Sequence, residues 1–105
     1  MIITTSDDVP GKQILHTYGL VRGSTVRGKH LGKDILALFR NLVGGEINEY
    51  TKMLAESREQ ALDRMILDAQ KLGANAIVGV RFASSSIAAG AAEILVYGTA
   101  VKIDD

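Results

Sequence analysis

The side chains in this chain best suited to hold a ligand are two histidines, His16 and His30, and a run of bases formed by Arg22, Arg27, Lys29 and Lys33. Imidazole is a metal ligand, and His30 and Asp34 stand four residues apart, the spacing that places two ligands on one helix face. Two ligands do not complete a coordination sphere. Soft heavy metals prefer thiolates, and the sequence contains no Cys. His16 falls in a different segment, on a stretch with strand character, where a single histidine ordinarily packs and hydrogen-bonds. A metal site built from His16 or His30 therefore needs symmetry to bring several copies of one residue around an axis.

The bases suit a different chemistry. Arg22, Arg27, Lys29, His30 and Lys33 make a local positive cluster, and residues 32–34 open a helix whose first amides attract anions. An anionic ligand fits there, and so does a solvated loop whose charges meet carboxylates of the same or a neighbouring subunit. Residues 23–29 match GxxxxGK, but His30 stands where a phosphate-cradling loop carries Ser or Thr, and the β-branched pair Thr25-Val26 favours continued strand. Arg58 lies on the helical line from Leu54 to Ala61 and Met65, so it is expected to be buried and to need a partner. That partner is either a carboxylate, with Glu46, Glu49 and Glu93 available, or a bound anion between subunits. Ser84, Ser85 and Ser86 read as a hairpin tip, while Tyr50 and Tyr97 sit in apolar stripes as packing residues with a hydrogen-bonded hydroxyl. No acid–base or nucleophilic constellation has a recognisable spacing, so the reading is a binding protein and not an enzyme.

The elements that must position these residues follow from periodicity. Residues 2–5 form a short β-branched strand closed by a turn containing Pro10 and Gly11. Residues 14–27 alternate as a long strand, with Leu15, Thr17, Val21 and Thr25 on one face and Ile14, His16, Tyr18 and Leu20 on the other. Gly19 and Gly23 share a face, as bulges or a close backbone approach would require. Leu31, Ile35, Leu38, Phe39 and Leu42 predict a first helix that stops at Gly44-Gly45. Ile47, Tyr50, Leu54, Ala61, Met65, Ala69 and Leu72 predict a second, ended by Gly73. Residues 75–83 and 93–103 alternate again, joined by a connection over 84–92. The expected order is β-β-α-α-β-β: an α+β fold in two layers, an antiparallel sheet with helices on one face.

Composition bounds the rest. A length of 105 residues suits one domain spanning 1–105, and 47% hydrophobic residues with a single Pro indicate an ordinary globule. Twelve basic and twelve acidic side chains cancel, so the field that drives nucleic-acid affinity is missing. Residues 1–10 carry Asp7 and Asp8 and lack a basic stretch followed by an apolar one, and no apolar run approaches the roughly 20 residues of a membrane span. Absence of Cys fits a reducing compartment, so a cytoplasmic location is expected. Three strands with apolar residues on both faces leave surface that two helices on one side cannot cover. Burial against identical subunits recovers about 1.5–3 kcal/mol for each large side chain fully buried. A homo-oligomer is therefore expected.

Several stretches carry a resemblance: Gly44-Gly45 with Tyr50, Leu54, Arg58, Ala61, Met65 and Ala69, then Gly73-Ala74-Asn75-Ala76-Ile77-Val78-Gly79-Val80-Arg81, then Glu93-Ile94-Leu95-Val96-Tyr97-Gly98-Thr99-Ala100-Val101. Over essentially its whole length the chain resembles the YbjQ-like family, described as heavy-metal-binding and of unknown function. The resemblance implies a two-layer subunit similar to those of dodecins, assembled as a ring-shaped pentamer in which short extra strands, a role suited to residues 2–5, join neighbours. The combined expectation is a non-enzymatic oligomer that binds a metal ion or small anion between subunits, with no cofactor assigned. Arg22, Arg27, Lys29, Lys33 and Arg58 would serve the anion and His16 and His30 the metal. The alternative is an interaction module that presents its ring to another protein and holds no small ligand.

Overall fold

Alternation along three segments is strong enough to make three long strands, and the computed structural model, which describes residues 1–27, 47–88 and 91–105, pairs them in one sheet. Side-chain surroundings are described for 1–26, 54–85 and 93–105. The strands are β1 (Ile2–Ile3), β2 (Ile14–Arg27), β3 (Ala76–Ala88) and β4 (Ala91–Ile103), and one described helix, α1 (Ile47–Leu72), precedes β3. The first expected helix, over 31–42, lies outside the described residues, as do Lys29, His30, Lys33 and Asp34.

The sheet order is β1-β3-β4-β2, with β3–β4 and β4–β2 antiparallel. The expectation of a purely antiparallel sheet fails at one edge, because β1 runs parallel to β3, Ile2 opposite Ala76 and Ile3 opposite Ile77. More than seventy residues separate these partners, so no hairpin turn imposes their sense. Residues 2–5 thus complete the sheet of their own chain. Backbone bonds continue the pairing past β1, with Val80 N–H donating to Thr4 O at 3.1 Å and Gly79 N–H to Ser6 O at 2.8 Å.

Two bulges in β2 change the predicted faces. Register shifts lie between Ile14 and His16 and between Thr17 and Gly19, and each inserts a residue that flips the alternation. His16 and Tyr18 therefore join Val21 and Thr25 on the helix side, and Leu20 joins Arg22, Ser24 and Val26 on the opposite side. Gly19 (φ 114°) and Gly79 (φ 62°) occupy left-handed backbone beside the shifts in β2 and β3, a conformation that a Cβ would strain. After Gly79 the phase of β3 reverses too: Ile77 and Val80 both face the helix.

The helix side is closed by a line of alanines around one large side chain, Met65. Along α1, Ser57, Ala61, Met65 and Ala69 are buried at i, i+4 spacing, and the last three pack with Val21, Ile77, Val80, Val96 and Ala100. Helix and β2 meet at Gly23, where a Cβ would overlap Ala61 O and stand 2.5 Å from Met65 N. Only a residue without a side chain permits that approach. Gly73 N–H bonds Gln70 O at 3.0 Å and Ala74 N–H bonds Ala69 O at 3.2 Å, closing the helix just before the chain enters β3.

On the other side, Ala76, Val78, Val101 and Ile103 form a second cluster, with Ile14 at the start of β2 and Val9 of the N-terminal segment packed against it. Asn75 locks this end. Its Nδ2 donates to Ile103 O at 2.9 Å and its Oδ1 accepts from Ile103 N–H at 2.7 Å, so one side chain substitutes for a strand neighbour.

The connection expected over 84–92 is mostly strand. Ser84, Ser85 and Ser86 pair with Ile94, Glu93 and Ala92, extending β3 and β4 into a long hairpin. Serine has no strong strand preference, and the ladder to an apolar partner strand overrides composition here.

Candidate functional site

The half of the second side left bare by Val9 and Ile14 is the candidate site. It is built by cross-strand register. Leu20 pairs with Thr99 and Thr99 with Val78; Arg22 pairs with Tyr97 and Tyr97 with Arg81; Ser24 pairs with Leu95 and Leu95 with Ala83; Val26 pairs with Glu93 and Glu93 with Ser85. Paired residues share a face, so these are four rows across β2, β4 and β3. Leu20 is 68% exposed, Val26 53% and Tyr97 38%. On the helix side Phe82 also stays 47% exposed, because its row runs from Gly23 and Val96 out to β3, beyond the line where α1 lies.

One arginine in these rows is held in place. Arg81 Nη1 donates to Thr5 O and to Val80 O, both at 2.8 Å, which tethers the guanidinium at the sheet edge beside the β1 segment. Arg22 is exposed, and its backbone N–H meets Asp68 Oδ2 from α1 at 3.5 Å. Two residues on, the Ser24 carbonyl accepts from Arg64 Nη1. Asp68 and Arg64 thus occupy one outward N–H and one outward carbonyl of the outer strand β2, groups that would otherwise be open to another strand.

The residues expected to bind a ligand are distributed as follows. Arg22 stands on the open face. Arg27 pairs through its backbone with Ala92, and its side chain lies outside the described surroundings, as do Lys29 and Lys33. Arg58 is exposed and, among the described residues, forms no ion pair, which overturns the expectation of a buried charge. The physical reason is helical phase: Ser57 and not Arg58 continues the line of Ala61, Met65 and Ala69, and Ser57 is 1% exposed. Its carbonyl accepts a 3.1 Å bond from Thr25 Oγ1 in the helix–sheet interface.

His16 is exposed on the helix side of β2, its ring edge-on to Tyr18 at 4.6 Å between centroids, and Tyr18 Oη donates to Gly73 O at 3.4 Å. His30 lies outside the described residues. Among the described residues no three His, Cys, Asp or Glu side chains gather as a metal site would require, and no helix is long and apolar enough to cross a membrane. The sequence reading missed Arg81 and Tyr97 as partners of Arg22. Arg81 was visible only as a strand position, and the bulge at Gly79 decides which face it takes.

Comparison with known proteins places the chain. A family model described as "Putative heavy-metal-binding" matches residues 1–104. A UPF0145 protein of Methanosarcina acetivorans is 60% identical over 103 residues, covering 98% of this chain and 97% of that protein. A UPF0145 protein of Clostridium perfringens is 57% identical over 105 residues, covering 100% of this chain and 99% of the relative. Among solved structures, a protein of unknown function from Pediococcus pentosaceus, assigned to the DUF74 family, superposes with a TM-score of 0.65 at 19% identity, over 99% of this chain and 98% of its own. That last likeness concerns the fold. The descriptions of the family and of these relatives indicate no enzymatic activity. The chain belongs to the YbjQ family of uncharacterised UPF0145 proteins, as the resemblance in its GANAIVGVR and EILVYGTAV segments implied.

Proposed function

We propose that this chain is a self-assembling binding protein of one domain, in which the open half of the sheet packs against a second copy and a small ligand is held between copies. The observation that carries this reading is Leu20, Val26 and Tyr97 standing exposed on a sheet face whose other half packs against the chain's own Val9 and Ile14. Shape supports it. The radius of gyration is 16.8 Å, with extents of 52 × 25 × 17 Å. A chain of this length folded compactly has a radius of about 13 Å. A ring of five is the assembly that family resemblance favours.

Between the two ligand classes, the geometry supports an anion over a metal ion. The open face carries Arg22 and Arg81, whereas the chain has no Cys and its described residues gather no metal-ligand set. A cytoplasmic site of action fits the lack of Cys.

Sedimentation velocity of the full chain at micromolar concentration tests the assembly. The expected boundary is a multiple of 11.2 kDa. A single folded species at the monomer mass overturns the reading.

A further inference from the structure

We infer that the cross-strand row Arg22–Tyr97–Arg81 is a binding site for a phosphate group. The inference rests on the reading of the open face as a ligand surface and assigns it a chemistry. The register makes Tyr97 the direct neighbour of both arginines on one face. The arginine backbones stand two strand spacings apart, about 10 Å, and because the Arg81 guanidinium is held on the β1 side of its strand, Arg22 is the side chain that reaches across Tyr97 to share one anion with it. Arg81 is anchored through Nη1 alone, to Thr5 O and Val80 O. Its Nη2 and Nε donors are left for a ligand, and the anchoring removes part of the ordering cost that binding would otherwise carry.

Charge argues in the same direction. The rows on either side hold Leu20, Thr99 and Val78, and Ser24, Leu95 and Ala83, with no carboxylate among them. The nearest acid on the face, Glu93, is two rows away. From the helix, Asp68 reaches the strand edge, where it accepts from the Arg22 backbone. Among the described residues neither guanidinium forms an ion pair. Two positive charges, one of them anchored, on an otherwise apolar and hydroxyl-bearing surface have no carboxylate in their own row or in the rows beside it. Guanidinium matches the geometry of a phosphate bidentately, and the Tyr97 hydroxyl supplies a further donor. Packing of the face against another copy would exclude water and strengthen these bonds.

Thermal unfolding of the full chain in sodium phosphate, against sodium chloride at equal ionic strength, tests the site. Wild type is expected to gain several degrees with rising phosphate, by preferential binding to the folded state. Arg22→Gln is expected to lose that gain, and Tyr97→Phe to reduce it. Arg58→Gln, an exposed arginine outside the row, is expected to keep it. Because Arg81 also ties down Thr5, Arg22→Gln is the deciding variant: it removes a side chain with no described structural bond. A parallel arm with adenosine monophosphate separates sources, since a larger shift than inorganic phosphate at equal concentration means that the group arrives on an organic carrier. A wild type indifferent to both phosphate and the nucleotide overturns the proposal, as does an Arg22→Gln variant that responds as wild type does. Sedimentation of the same samples keeps the two readings distinguishable. An assembled protein that ignores phosphate sinks the site alone, and a monomer that responds to phosphate sinks the assembly alone.

Discussion

The two faces of this sheet are made from alternate residues of the same strands, yet they behave as different materials. On the helix side, Val96 and Ala100 pack under Ala61, Met65 and Ala69, and Gly23 lets backbone approach backbone. On the other side, Leu20, Val26 and Tyr97 reach into solvent beside two arginines that the helix cannot neutralise. The first face is about stability, because removing volume or adding it changes a packed interior. The second is divided: the cluster of Ala76, Val78, Val101 and Ile103 belongs to the core, whereas the open half around Tyr97 contributes little to the fold of one chain and leaves its apolar and charged groups available for association and binding.

The sharpest way to break this comparison is Gly23→Val. Its Cβ would overlap the backbone of Ala61 and Met65, atoms that cannot rotate aside, so a loss of about 3 kcal/mol or more is expected in urea unfolding. A variant as stable as wild type would mean that α1 does not sit where described. Next comes Met65→Ala, which empties a fully buried position beneath the helix and should cost roughly 3 kcal/mol by the same measurement. Asn75→Ala tests the lock on the other side. Loss of both bonds to Ile103 leaves a strand end unsatisfied, with an expected cost of about 1–2 kcal/mol and faster amide exchange at Ile103. Smallest in stability is Leu20→Ser with Val26→Ser on the open face, about 0.5 kcal/mol or less in a monomer. The same pair should lower the sedimenting mass, and an unchanged mass would remove the open face from the assembly.

Much of the fold was legible along the chain. The line of Ala61, Met65 and Ala69, the alternation of Ile94, Val96 and Ala100 against Leu95, Tyr97 and Val101, and the pairing of Gly19 with Gly23 on one face all read correctly, since each depends on local period. The faces of β2 read incorrectly, because two bulges insert residues that no pattern of apolar types announces. Ser84 to Ser86 read as loop, because a strand held by its partner's ladder needs no propensity of its own. Arg58 was misplaced by a single helical position, one step of about 100° around an axis of 3.6 residues per turn. The candidate site was half visible: Arg22 was chosen for its basic neighbours, whereas Arg81 and Tyr97 join it through pairings between residues 59 and 75 positions away.

By itself the sequence determined the long strand over 14–27, the helix that ends at Gly73, the two strands that follow it, and that cysteine chemistry is excluded. Those are properties of residue type and period, set within a turn or a few pleats. Tertiary structure alone decided that β1 pairs in parallel, which side of the sheet each β2 residue takes, and that Arg22, Tyr97 and Arg81 form one row. Register between distant strands is chosen by the combined packing of the whole sheet under the helix, and one inserted residue reverses every side chain beyond it.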